Sequence, residues 1–275
     1  MRKTVVITLL MICFNVQAWA QIEWFGPMKT LDKAKYKVTY RLIYHEDTTN
    51  LENHGSEKMV LIIGNDISNF QSYRKYECDR VGRQKQKEGV LLDWIQSGAV
   101  RDYTYRYHFS IYKNYPKGKM TTIDKILFGD YYEYDEINNP FEWNILCDTA
   151  IVAGYYCQRA TCDFAGRTWE AWFSEELPFN DGPYKFGGLP GLILNIFDTR
   201  GHYSFEFLSI EAMSKGETIG IEEKDYIKTT KQGFFDAVRI HSESLDYTDK
   251  VDDDVARRIY NTLQSRNNPI ELKGK

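Results

Sequence analysis

The sequence has no CxxC pair, no HxxxH spacing and only five histidines, widely scattered, so the ligand spacing of familiar zinc sites is missing. It also lacks the G-x-S-x-G elbow of serine hydrolases. The phosphate-cradling G-x-x-x-x-G-K-[ST] loop is absent too, since Lys185 stands ahead of the Gly187-Gly188 pair rather than behind it. Charge of one sign is lacking as well: 35 basic and 39 acidic residues leave a net charge of -4, and the two kinds are interspersed, which argues against nucleic acid as a partner. No cofactor motif is present and none is expected. Past the N-terminus no apolar run is long enough to span a bilayer, so an integral membrane protein is not expected.

What is present begins at the N-terminus. Arg2 and Lys3 precede an apolar run from Val5 to Val16, followed by Ala18-Trp19-Ala20. A charged, then apolar, then small-x-small order is that of a secretory signal peptide, expected over residues 1–20, with a single domain over 21–275. Lipid attachment at Cys13 is disfavoured because Ile12 is branched where such processing needs a small residue. Localisation to the periplasm or the outer membrane follows as an expectation.

In an exported chain Cys78, Cys147, Cys157 and Cys162 stand where disulfides form, and four thiols allow three pairings. A hairpin centred near Val152 sets Cys147 opposite Cys157, which makes that pair the expected bridge. Cys157 and Cys162 are an odd number apart on one strand and point to opposite faces.

Alternation of period two dominates the chain, and it predicts a mainly β (α+β) fold with an antiparallel sheet. Val38, Tyr40, Leu42 and Tyr44 share one face of a strand, and 58–63 and 67–72 flank a tight Gly64-Asn65-Asp66 turn. Residues 73–96 read as a helix or irregular insertion weakened by Gly82 and Gly89. The run "DYTYRYHFSIY", 102–112, is expected to be the clearest strand. Strands follow at 120–128 and 130–135. A meander of "EWNILCD", "YYCQRATCDF" and "RTWEAWFS" comes next, then the "LILNIFD" and "HYSFEFLSI" hairpin. Beyond that hairpin the tail is expected to turn helical, with one helix after Thr229-Thr230-Lys231-Gln232, which resembles a capping box, and one carrying Val251, Val255, Ile259 and Leu263 at four-residue spacing.

Two function classes remain. Aromatic strands without a catalytic constellation suggest binding of an apolar or peptidic ligand, with Arg167, Trp169, Trp172, Tyr184 and Lys185 as candidate ligand-binding residues. The same aromatics serve equally as core filling, and Arg159 and Arg167 as charges guarding an edge. The alternative is a hydrolytic enzyme using Glu175, Glu176 and Asp181 beside the Gly-rich loop, although adjacent glutamates after a strand more often face solvent. No catalytic residue is assigned. In that loop Gly187, Gly188, Leu189, Pro190 and Gly191 form a structural motif, with Pro190-Gly191 at the centre of an expected type II turn that needs positive φ at Gly191.

Four motifs stand in series: Gly154-Tyr155-Tyr156-Cys157, Gly166-Arg167 through Ala171-Trp172, Gly182-Pro183-Tyr184-Lys185-Phe186, and Gly188 through Ile193, with "NPIEL" at 268–272. In these the chain resembles the GLPGLI family of exported proteins from outer-membraned bacteria, over most of residues 21–275. The resemblance implies secretion, a mostly antiparallel β architecture and a cell-envelope role beside an outer-membrane uptake receptor or another envelope protein. It implies no activity. A looser analogy of fold leads to the half-barrel carriers of periplasmic lipoproteins, in which a curled sheet with helices packed against it leaves a hydrophobic hollow.

Overall fold

A computed structural model describes residues 25–126, 129–244 and 266–272. In chain order the strands are β1 (Met28–Lys33), β2 (Tyr36–Tyr44), β3 (Gly55–Ile63) and β4 (Ser68–Ser72). Helices α1 (Tyr73–Lys87) and α2 (Leu91–Gln96) and a 3-10 turn (Ala99–Tyr103) interrupt them. There follow β5 (Ser110–Lys113), β6 (Lys119–Lys125), β7 (Tyr131–Ile137), β8 (Asn144–Val152), β9 (Tyr155–Phe164) and β10 (Arg167–Ser174). The remainder comprises β11 (Leu192–Asp198), β12 (Tyr203–Ala212), β13 (Thr218–Glu222), β14 (Ile227–Lys228) and helix α3 (Lys231–Ser244). The fold is mainly β. Twelve strands form one open sheet, β14-β7-β6-β5-β4-β3-β2-β12-β11-β10-β9-β8, and β1 pairs with β13 in a separate ribbon. All neighbours are antiparallel except β14 and β7.

The sheet buries apolar side chains on both faces, which is why its central strands read as nearly continuous apolar runs. Val38, Tyr40 and Leu42 of β2 and Met59 and Leu61 of β3 join Phe70, Ile111, Trp169, Phe173 and Phe205 in the main core. Val60 and Ile62 of β3 point the other way, with Tyr112, Ile123, Ile219 and Ile221, into a second core. Phe234 of α3 closes a third cluster by stacking on Tyr134 of β7, ring centroids 5.5 Å apart. Thr230 caps α3, its Oγ1 accepting from the Gly233 N–H at 3.1 Å, so the start of the helix falls where the Thr-Thr-Lys-Gln sequence places it. The second expected helix, at 251–263, lies outside the described residues.

Several expectations are corrected. Between 102 and 112 only Ser110 to Lys113 enters the sheet, because the buried Glu57 carboxylate takes the Arg106 and Tyr107 N–H groups at 2.9 and 3.3 Å. Those donors are lost to a ladder, and the chain leaves the sheet despite its alternation. Gly82 does not break α1: the Phe25 ring lies where a Cβ would stand, so glycine is what allows that contact. The hairpin between β8 and β9 turns at Ala153-Gly154, both with positive φ (49° and 88°), rather than at Val152. Its register pairs Ala150 with Cys157 and shifts between Ile145 and Thr149, so Cys147 falls in the irregular stretch. The expected Cys147–Cys157 bridge is therefore absent, and the four described cysteines are free.

Gly191 also departs from expectation. Positive φ occurs at Gly188 (86°) and at Tyr184 (53°), not at Gly191, so the turn is not the expected type II. What requires glycine at 191 is proximity. A Cβ there would press into the backbone carbonyl of Ser174 and lie 2.8 Å from the Glu175 nitrogen, where the loop runs across the end of β10.

Candidate functional site

Residues 266–272 lie across one face of the sheet and are held by buried polar side chains rather than by a strand ladder. Arg167, at the start of β10, is the first anchor. Its Nε donates to the Ile270 carbonyl at 2.9 Å, one terminal nitrogen serves Asp198 at 2.8 Å and His202 at 3.3 Å, and the other serves Asn268 Oδ1 at 2.6 Å and the Pro269 carbonyl at 2.7 Å. All five guanidinium donors are engaged within the chain. Asp198 in turn accepts from the His202 and Tyr203 N–H groups at 2.7 and 2.8 Å. The Tyr203 hydroxyl donates to the Asn268 carbonyl at 2.6 Å.

Lys185 is the second anchor. Its side chain is fully buried, paired with Glu136 of β7 and, at 2.6 Å, with Glu271. Lys231 at the start of α3 contacts the same two carboxylates, at 2.8 Å to Glu136. The Tyr184 hydroxyl donates to Glu271 at 2.5 Å. Burial opposes charge on Glu271 and on Lys185, yet the opposed charges prevail: the Glu271 carboxyl is held below its ordinary range and the Lys185 ammonium above it. Two cations and two carboxylates thus neutralise each other and tie the loop, β7, α3 and the 266–272 segment together.

A further buried lysine fixes the loop from below. Lys113 of β5 donates to Asp181 and the Gly182 carbonyl, both at 2.7 Å, and to the Phe186 carbonyl at 2.6 Å. Trp143 Nε1 donates to the Gly187 carbonyl at 2.9 Å.

These anchors frame a cavity of about 510 Å³ between the sheet, α3 and residues 266–271. Its walls are Phe109, Ile111, Ile126, Tyr134, Tyr184 and Tyr203, roofed by Phe234, Phe235, Val238 and Ile270. Apolar surface predominates in the lining, with charged and polar side chains set among it. Asp124 on β6 belongs to the wall and makes no ion pair among the described residues. Burial pushes its carboxyl up to about 7. Thr122 Oγ1 on the same strand face is buried without a hydrogen-bond partner, with the Tyr134 hydroxyl nearby. His108 lies beside them, and burial lowers its imidazole to about 4. At one end Glu46, Arg106 and Arg266 stand together, each partly exposed.

A smaller cavity of about 300 Å³ lies under α1 on the opposite face. Its wall carries Tyr76, Tyr105 and Tyr131, and its charges are paired, Lys75 with Asp79 at 2.7 Å and Arg83 with Glu222 at 3.5 Å.

Of the residues singled out for ligand binding, Tyr184 alone lines the larger cavity. Trp169 is fully buried in the main core, Trp172 is half-buried on the opposite face of β10, and Arg167 and Lys185 are the two anchors. The three acids of the hydrolytic alternative are not gathered. Glu175 and Glu176 are exposed, Glu176 accepting from the Tyr156 N–H at 2.8 Å, while Asp181 holds Lys113. Among the described residues no group of three or more His, Cys, Asp and Glu is placed to hold a metal, and no helix is long and apolar enough to cross a membrane. The cavity-lining Phe234, Ile111 and Ile126 carried no signal in the sequence, since an apolar residue facing a cavity reads like one facing a core.

A family model described as a protein of unknown function (Porph_ging) matches residues 165–195, from the β9–β10 turn through the anchoring loop into β11. No curated protein matches the sequence. Among solved structures the chain is similar to PNGF-II in its P21 space group, at TM-score 0.50 and 13% identity, covering 75% of this chain and 33% of that one. It is similar also to PNGF-II in its C2 space group, at TM-score 0.49 and 12% identity with the same coverage. This chain therefore spans a third of the length of the PNGF-II chain it matches, and at such identity the likeness concerns the fold alone.

Proposed function

We propose that this chain is an exported cell-envelope binding protein whose larger cavity receives an apolar ligand. The observation that carries the reading is the cavity of about 510 Å³, walled by aromatic and aliphatic side chains and braced by ion pairs that are satisfied within the chain. A site whose lining surface is predominantly apolar holds its ligand largely by burial, at roughly 25 cal/mol per Å² of apolar surface removed from water. The braces keep the space open because they fix the 266–272 segment and the first turn of α3 without filling the gap with side chains. Export is supported by the Arg2-Lys3, apolar, Ala18-x-Ala20 order of the N-terminus. An envelope partner such as an outer-membrane uptake receptor belongs to the same reading, as the destination or source of the ligand.

The test is mass spectrometry of an organic extract of the protein purified from the cells that make it, beside the variant Val238→Trp at the cavity rim. The wild type is expected to carry an apolar molecule that the variant lacks. A ligand-free wild type that also fails to bind a hydrophobic fluorescent probe would defeat the reading.

A further inference from the structure

The two ends of the cavity differ in charge. Away from the Glu46 cluster, Glu271 is compensated by Lys185 and Lys231 and Arg239 contacts Asp236 at 3.6 Å, while Asp124 is the acid of the wall that has no ion pair among the described residues. His108 is neutral near pH 7 because burial disfavours its cation, and Lys125 sits over the Tyr131 ring at 5.0 Å. At the remaining end one carboxylate serves two guanidiniums. Arg106 Nε pairs with Glu46 Oε1, and Arg266 Nε stands 3.4 Å from Glu46 Oε2, buried and without a hydrogen bond. The buried Glu57 carboxylate also faces Arg106, and what the cluster retains is the Arg266 Nε donor.

That cluster is one of the places where the cavity meets solvent, the rim at Val238 being another. The side chains of Arg106, Arg266 and Glu46 are 34%, 28% and 28% exposed, whereas Ile111 is fully buried. An apolar wall with an unfilled guanidinium donor at one end suits a molecule with one anionic end. Resting on the binding function above, we propose that the ligand is an anionic amphiphile, a long-chain carboxylate whose head is held by Arg106 and Arg266 and whose chain lies against Ile111, Ile126 and Phe234. A guanidinium suits this task because its planar fork matches a carboxylate and it stays charged when partly buried.

The proposal is tested by calorimetric titration of the delipidated full chain with three probes of equal chain length: hexadecanoate, hexadecanol and hexadecylammonium. Hexadecanoate is expected to bind about tenfold more tightly than hexadecanol, the effect of one charge-assisted hydrogen bond, and hexadecylammonium most weakly. Arg266→Gln should remove most of that advantage, whereas Arg266→Lys should keep part of it. Arg106→Gln provides a second route should the first variant misfold. Equal binding of hexadecanoate and hexadecanol, or tighter binding of hexadecylammonium, overturns the head-group assignment and leaves the apolar cavity standing. Failure of all three probes to bind overturns both.

Discussion

Replacing Arg167 by methionine keeps roughly the aliphatic stem of the side chain and removes every polar contact it makes. The structure fixes the consequence. Asp198, with no exposed side-chain surface, loses its ion partner Arg167 and keeps two backbone donors, while Asn268 Oδ1 and the carbonyls of Pro269 and Ile270 lose theirs. Breaking a buried pair from one side costs about 3–5 kcal/mol, and each orphaned buried acceptor adds about 1–3 kcal/mol unless water reaches it. Detachment of residues 266–272 lets water in, so the loss expected is about 4 kcal/mol in a urea or guanidinium titration. Hydrogen exchange at Asn268 and Leu272, whose N–H groups donate to Glu46 and Ala165, should rise before the sheet opens. The double variant Arg167→Met, Asp198→Asn should recover part of the loss, because it removes the uncompensated carboxylate. A stability change under about 1 kcal/mol, or exchange in 266–272 no faster than wild type, would refute the anchoring role.

Other outcomes follow from single groups. Burial raises the Asp124 carboxyl from 3.8 to about 7, so between those values the folded chain binds more protons than the unfolded one. Stability therefore falls as pH rises through that window, by at most about 4 kcal/mol, and levels off above it. Asp124→Asn should flatten that slope, and an unchanged pH profile of the melting temperature would count against it. Gly191→Ala forces a methyl group into the Ser174–Glu175 backbone and should cost about 1–3 kcal/mol or more, whereas a neutral effect would mean the loop moves freely. Among the thiols, Cys147 is exposed, while burial pushes Cys157 up to about 11 and Cys162 up to about 12. A maleimide reagent should thus label Cys147 in the native protein and the other two only after unfolding. Peptide mapping that finds Cys147 joined to Cys157 would contradict the register of the β8–β9 hairpin.

The legible part of the sequence was the part governed by local pattern. Strands β9, β10 and β11 begin and end where the runs "YYCQRATCDF", "RTWEAWFS" and "LILNIFD" do, because each is bounded by turn residues and buries alternate side chains against a continuous core. Where a distant group intervened, pattern misled. The alternation of 102–112 is real, but Glu57, about fifty residues away, takes its backbone donors. Likewise, the hairpin register turned on whether Val152 or Ala153-Gly154 made the corner, and moving the corner there puts Ala150 rather than Cys147 opposite Cys157.

The site was half visible for the same reason. Arg167, Tyr184 and Lys185 stood out as unusual residues in a long ordered motif, yet their partners Asp198, Asn268 and Glu271 lie up to 101 positions away, and spacing cannot reveal such pairs. Their chemistry was read as reaching outward to a ligand. The structure turns Arg167 and Lys185 inward, and the space they hold open is bounded by apolar residues of β5, β6 and α3 that no motif distinguished.

The most direct measurement is a crystal structure of the full chain grown with ω-bromohexadecanoate, located by the anomalous signal of the bromine. The bromine is expected among Ile111, Ile126 and Phe234, with the carboxylate between Arg106 and Arg266. A bromine bound on the outer surface, or in the smaller cavity beneath α1, would contradict the assignment of the larger cavity as the binding site.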